Sequence, residues 1–146
     1  MDRALSQKVE DEIKSLHDFF CDWFGGMVNQ ERFEELFSKR FSSELIFIPP
    51  AGNYLQFKDL EESIREGYGA NPDFKIEIRN VRLLIEMDGY ILATYEEWQR
   101  NALASKPPDN ARLATVMFKN GDHLIWQHIH ETWMPREIME SDPYDF

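Results

Sequence analysis

Apolar residues recur every three or four positions from Leu5 to Met27, at Leu5, Val9, Ile13, Leu16, Phe20, Trp23 and Met27, with Lys8, Glu12, Lys14 and Asp18 between them. That period belongs to a helix with one buried stripe, and it predicts a first helix over Ala4–Gly25. Gly25-Gly26 should end it, because a glycine pair favours termination and accepts positive φ. A shorter second helix follows, with Asn29 placed to cap it and Phe33, Leu36 and Phe37 as its apolar stripe. Glu44–Ile48 reads as a strand stopped by Pro49-Pro50. Asp59-Leu60-Glu61-Glu62 has the spacing of a capping box, so a third helix should start there and turn Leu60, Ile64 and Tyr68 to the core.

The period then changes. Phe74, Ile76 and Ile78 alternate, and Val81, Leu83, Ile85 and Met87 alternate in the opposite phase. A bulge near Arg79-Asn80 keeps both sets on one face. Asp88-Gly89 is a strong two-residue hairpin signal, and it pairs Met87 with Tyr90, Ile85 with Leu92 and Leu83 with Thr94. After the polar, proline-bearing segment Asn101–Asn110, a second hairpin is predicted from Arg112–Lys119, a turn at Asn120-Gly121, and Leu124–Trp133. Helices first and two long hairpins afterwards make an α+β domain over residues 1–134, with 135–146 as a tail on its surface.

These strands carry apolar groups on both faces: Leu113, Thr115 and Met117 against Ala114, Val116 and Phe118. Helices cover one face only. Six large side chains left open on the other would contribute about 9–18 kcal/mol on burial, before association costs. A homodimer is therefore expected.

Composition narrows the partners. With 16 basic against 27 acidic side chains the formal charge is −11, which opposes binding to nucleic acid and docking on anionic membranes. One cysteine, Cys21, excludes an internal disulfide or a thiolate zinc cluster within the chain. No signal-like or membrane-spanning apolar run is present, so a cytoplasmic protein is expected.

The long helix Leu5–Phe24, the Asp88-Gly89 hairpin, Ala93-Thr94-Tyr95-Glu96-Glu97-Trp98, and Lys119-Asn120-Gly121 followed by Trp126-Gln127-His128-Ile129-His130 together resemble the NTF2-like superfamily, in particular its SnoaL-like group of uncharacterised function. The resemblance implies a cone: a strongly curved, mixed or antiparallel sheet wrapped around three helices, open to a pocket at its wide end. It implies dimers through the convex face. It also implies either isomerases, cyclases, dehydratases or hydrolases acting on small hydrophobic molecules, or inert domains that bind ligands or assemble larger proteins. The association domain of calmodulin-dependent kinase is of the inert kind; Trp126, Gln127, Ile129 and His130 follow its final strand, while Thr132 replaces a second histidine.

Candidate chemistry sits on the last strands. Alternation puts Trp126, His128, His130 and Thr132 on one face of the final strand, and Ile125, Gln127, Ile129, Glu131 and Trp133 on the other. His128 and His130 are candidates for proton transfer, since imidazole titrates near pH 6.5; structural hydrogen bonding, ligand contact and metal ligation compete for the same pair. Tyr95 and Glu97 share a face, and an inward glutamate, its pKa raised, would serve as a base or orienting group. A surface ion pair with Arg82, Arg100 or Arg112 is the alternative for that glutamate. Tyr54 and Tyr68 at the pocket rim and Trp98 and Trp126 as pocket walls complete the candidate ligand-binding set. The expected function is binding of a hydrophobic small molecule, with a cofactor-independent isomerase, cyclase or dehydratase activity or, alternatively, a non-enzymatic association domain. There is no phosphate loop, nucleophile elbow or His-Glu-x-x-His motif.

Overall fold

The computed structural model describes residues 2–146. Helix α1 spans Arg3–Phe24, with the Asp2 carboxylate accepting from the Ala4 backbone N–H at 2.9 Å. Its buried face carries Leu5, Val9, Ile13, Leu16, His17, Phe19 and Trp23. Helix α2 is a single turn, Phe33–Leu36, between the 3₁₀ turns Gln30–Arg32 and Ser38–Arg40. Strands β1 (Phe41–Ile48) and β2 (Leu55–Gln56) precede helix α3, Phe57–Glu66. Asp59 lies inside α3 and accepts from Gln56 N at 2.9 Å, so the helix is capped three residues earlier than its capping signal suggested, at Gln56.

Four long strands follow: β3 (Lys75–Met87), β4 (Tyr90–Arg100), β5 (Asn110–Asn120) and β6 (Leu124–Trp133). One six-stranded sheet has the order β2-β1-β6-β5-β4-β3. All neighbours are antiparallel except β1 and β6. The architecture is α+β, with a mixed sheet packed on the N-terminal helices.

The strand irregularities decide which side chains face the helices. Asn80 has φ 54°, and the β3–β4 register shifts between Arg79 and Arg82, where the reversed alternation required a bulge. Asp88 and Gly89 have φ 52° and 79°, the paired positive values of a tight hairpin turn. Met87 pairs with Tyr90 and Ile85 with Leu92, but a second shift pairs Leu83 with Ala93 rather than Thr94.

The core is a stack of rings at the helix–sheet junction. Phe37 lies 5.1 Å from Phe33 and 4.7 Å from Phe41, and Trp126 meets Phe118 at 4.6 Å. Trp23 donates to the Ile64 carbonyl at 2.7 Å, tying α1 to α3. The exposed end of α1 is closed by the chain leaving α3: Gly69 N and Asn71 N donate to the Trp23 and Phe24 carbonyls, each at 3.0 Å. Those carbonyls have no partner within their own helix. Gly26 and Gly69, both at positive φ, let the two segments meet.

The tail forms helix α4, Arg136–Glu140, and then lies on the convex sheet face. Asp142 pairs with Arg79 at 2.7 Å and Tyr144 packs on Trp98 at 5.7 Å.

Gly67 offers a test of how tightly α3 sits on α1. A Cβ there would come within 2.5 Å of the Phe24 ring. Gly67→Ala is expected to destabilise by about 1–3 kcal/mol in urea unfolding, the usual cost of overpacking; an unchanged midpoint would show that this junction is loose.

Candidate functional site

The concave face of the sheet and the inner face of α1 enclose a cavity of about 160 Å³. One side is apolar, formed by Leu16, Phe20, Phe24, Phe47, Ile64 and Phe74. The opposite side is polar: His17 from α1, Tyr95, Glu97 and Gln99 from β4, Arg112 from β5 and Glu131 from β6. Period-2 alternation puts Tyr95, Glu97 and Gln99 on one face of β4, and the register sets Glu97 beside Arg112. His17 arrives because it is one helical turn from Ile13, on the stripe that α1 buries.

All of these polar groups but Tyr95 form one chain of hydrogen bonds. His17 Nδ1–H donates to the Ile13 carbonyl at 2.7 Å, and Nε2–H donates to Glu97 Oε1 at 3.0 Å. Both partners only accept, so the ring fits best as the two-donor imidazolium. Gln99 Nε2 donates to Glu97 Oε2 at 2.6 Å, and its carbonyl accepts from Arg112 Nη2 at 3.2 Å. Arg112 Nη1 donates to Glu131 Oε1 at 3.1 Å. The guanidinium also bonds Asn110 Oδ1 at 3.2 Å and lies 4.9 Å from the Trp133 ring centroid. Among the described residues, the Tyr95 hydroxyl and Glu131 Oε2 have no protein partner.

Burial and charge split the two carboxylates. Glu97 is buried, which opposes ionisation, but the His17 charge, the His17 hydrogen bond and Arg112 hold it down at about 2. Glu131 is pushed up to about 7 by burial and then by the Glu97 charge, with Arg112 only partly opposing this. Burial works against the His17 cation, and Glu97 overcomes it, so His17 is raised. Burial, then the Glu97 charge, keeps the Tyr95 phenol protonated well above its ordinary range. The site thus holds a fixed ion pair next to a carboxyl group that changes state near neutrality. Cys21 lies outside it, its thiol pushed up to about 11 by burial.

Tyr95 and Glu97 line the cavity, Glu97 paired with His17 rather than with a surface arginine. His128 and His130 do not line it. In β5–β6, Phe118 pairs with Trp126 and Met117 with His128, leaving Gln127 as an extra residue. Beyond that bulge the alternation inverts: Leu124 and Trp126 point inward, then Ile129 and Glu131 do, and the imidazoles turn to the convex face. Trp126 is fully buried core, its Nε1–H bonded to Glu12 at 2.9 Å. Trp98 is on the convex face, bonded to Glu96 at 2.9 Å and lying under Arg79 at 4.3 Å. Tyr68 spends its hydroxyl on the Val28 carbonyl at 2.7 Å, and Tyr54 is 75% exposed on a loop. None of these four contributes to the cavity wall.

Sequence reasoning passed over His17, Arg112 and Glu131 as members of one site. His17 was detectable, four residues after Ile13 on the apolar stripe. Glu131 required the bulge, and the signal was the need to keep both Trp126 and Ile129 in the core. Among the described residues, no three His, Cys, Asp or Glu side chains are grouped to hold a metal ion.

No family model matches the chain, and no curated protein does. Solved structures do match. An NTF-2-like protein of unknown function from Pseudomonas aeruginosa is 27% identical, with a TM-score of 0.76 over 88% of this chain and 99% of that one. The association domain of the Caenorhabditis elegans calmodulin-dependent kinase II is 11% identical, with a TM-score of 0.67 over 89% of this chain and 96% of that one. An NTF2-like protein from Streptomyces avermitilis, provisionally named a dehydratase, is 11% identical with a TM-score of 0.67 over 90% and 97%.

The opposed shifts have a signed consequence for stability. Glu131, raised to about 7, holds in the folded state a proton that the unfolded chain gives up above about pH 4.5, so stability falls as pH rises through 7. His17, also raised, adds stability that is complete below its ordinary value and is lost through its folded one. Glu97, lowered to about 2, adds stability lost only in acid. The melting temperature should therefore be higher at about pH 5.5 than at about pH 8. Glu131→Gln should flatten that slope; an equally steep decline in the variant would contradict the assignment.

Proposed function

We propose that this chain, which belongs to the NTF2-like superfamily, binds a small hydrophobic carbonyl compound in its cavity and moves a proton on it without an organic cofactor. The observation that carries this reading is Glu131: a buried carboxyl group, raised to about 7, with its Oε2 left without a protein partner at an apolar cavity. A group titrating near the working pH serves as both acid and base. Tyr95, held protonated, supplies an O–H donor for a ligand oxygen on which negative charge develops. Arg112 steadies the Glu131 carboxylate through Oε1, and the His17–Glu97 pair fixes the face of β4 from which Tyr95 projects. In this scheme Glu131 takes a proton from the carbon next to the carbonyl, the enolate oxygen accepts from Tyr95, and the proton returns at another carbon. Size limits the substrate: a cavity of about 150 Å³ takes one benzene ring. Within the superfamily we read the chain as SnoaL-like, supported by the resemblance of its hairpins and by this acid–base wall.

A second reading has its own observation. The convex sheet face bears Leu92, Thr94, Leu113, Thr115, Met117, Ile125 and Thr132, with Glu96 and Lys119 beside them on β4 and β5, in a chain of formal charge −11. Leu113 and Met117 are 37% and 36% exposed. Five strands about 4.8 Å apart and about 33 Å long present on the order of 800 Å², the area one partner contributes to a standard interface. The tail occupies one corner of it, at Trp98. A second copy is the occupant this face suits, because a largely apolar surface is where two strongly acidic chains meet with least repulsion. Self-association through it is compatible with a working cavity on the other side.

The single-ring ketone 3-cyclohexen-1-one, converted to its conjugated isomer, tests the proton-transfer reading by its ultraviolet absorbance. Wild type should accelerate the shift above buffer, and Glu131→Gln should lose about 10²-fold or more. Saturable binding without acceleration would leave a binding protein, and neither effect would leave the association reading. Sedimentation equilibrium tests that one separately: a dimer of the 17.4 kDa chain is expected at micromolar protein, and a monomer for the Leu113→Asp, Met117→Asp double variant. A wild-type monomer would refute it.

A further inference from the structure

We propose that the convex-face dimer is opened by acid, with His128 and His130 as the groups that sense it. The inference rests on the self-association reading above and adds its regulation. The Gln127 bulge that sends Glu131 into the cavity also places both imidazoles on the opposite face, their ring centroids 6.5 Å apart. They stand among the apolar residues of that face. Across the sheet, the row through His128 runs from Ile46 on β1 through Met117 and Leu92 to Ile85 on β3. The row through His130 runs from Ile48 through Thr115 and Thr94 to Arg82. The one charge in either row is therefore a cation at the far edge strand.

The carboxylates nearest the pair are already bonded or lie outside its two rows. Glu131, next in sequence, points into the cavity toward Arg112. Glu96, on the same face as the imidazoles in the next row with Leu113, accepts from Asn80 at 2.7 Å and Trp98 at 2.9 Å. The charge flanking the His128 row on β5 is the cation Lys119, beside Ile125. Glu44 is exposed on β1, two residues before Ile46 and outside both rows. Among the described residues, no salt bridge reaches either ring. His128 is half-buried already, and burial followed by the His130 charge lowers its proton affinity. A second copy on this face removes more water from both rings. Neutral imidazoles tolerate that; imidazoliums without counter-charge do not. Protonation also sets like charges against each other, within one copy and across the interface.

The sign of the effect separates this device from ordinary charge behaviour. Between neutral pH and the pI near 4.8 the chain loses its net negative charge, so whole-molecule repulsion falls and acid alone should tighten self-association. The histidine pair predicts the opposite.

Sedimentation velocity of the full chain at about pH 8 and about pH 5.5, at matched ionic strength, reads the difference. Wild type should be dimeric at the higher pH, with the dimer Kd weakened on the order of tenfold or more at the lower, the factor for one unit of differential proton affinity. The His128→Gln, His130→Gln double variant should lose this weakening and associate as tightly, or more tightly, in acid. Because the substituted positions are half-buried or exposed, folding is not at stake. A dimer equally tight or tighter in acid for wild type would overturn the switch and leave the dimer standing. A monomer at both pH values would overturn the dimer reading and the switch with it.

Discussion

A charged histidine inside an aromatic core is the constraint around which the rest is arranged. Burying an ion without a partner costs far more than a domain's net stability, so the ion must be paired and its remaining hydrogen-bond capacity filled. His17 meets both conditions, with the Ile13 carbonyl on one nitrogen and Glu97 on the other. The pairing fixes α1 against β4. It also leaves a second carboxylate, Glu131, which burial, reinforced by the Glu97 charge, drives toward neutral pKa. Structure and chemistry share a cause: the pair that anchors the helix tunes the neighbour that can exchange a proton.

Irregular backbone does the complementary work. A regular β6 would carry Trp126 and the two imidazoles together, with Glu131 on the far side. One extra residue at Gln127 keeps Trp126 in the core, brings Glu131 into the cavity and delivers His128 and His130 to the outer face. A single bulge thus divides the ionisable residues of one strand between two surfaces with different uses, one concave and ligand-sized, the other convex, open and largely apolar.

Much of this was legible in the amino-acid order, for definite reasons. Helix α1, the hairpin turn at Asp88-Gly89 and the break near Arg79-Asn80 each carry a local signature: a 3.6-residue period, paired turn residues, a reversed alternation. Tyr95 and Glu97 reach the cavity wall because β4 alternates without interruption. The positions of Tyr54, Tyr68, Trp98 and Trp126 were less readable, since residue type does not tell whether an aromatic side chain fills a core, lies beneath a tail or walls a pocket. Trp98 is buried by a tail of irregular sequence, and Tyr68 by carbonyls 40 and 42 positions away. The β6 bulge has no turn residue to announce it; only the demand that Trp126 and Ile129 both be buried implies it.

The most direct measurement is the titration of the Glu131 carboxyl carbon by NMR in protein labelled with ¹³C at glutamate side-chain carboxyls, the resonance assigned by its loss in Glu131→Gln. Burial and the Glu97 charge predict a midpoint at about 7. A midpoint near the ordinary 4.5 would mean that Glu131 is ionised throughout the neutral range. The cavity would then lack the acid–base group on which the functional reading depends.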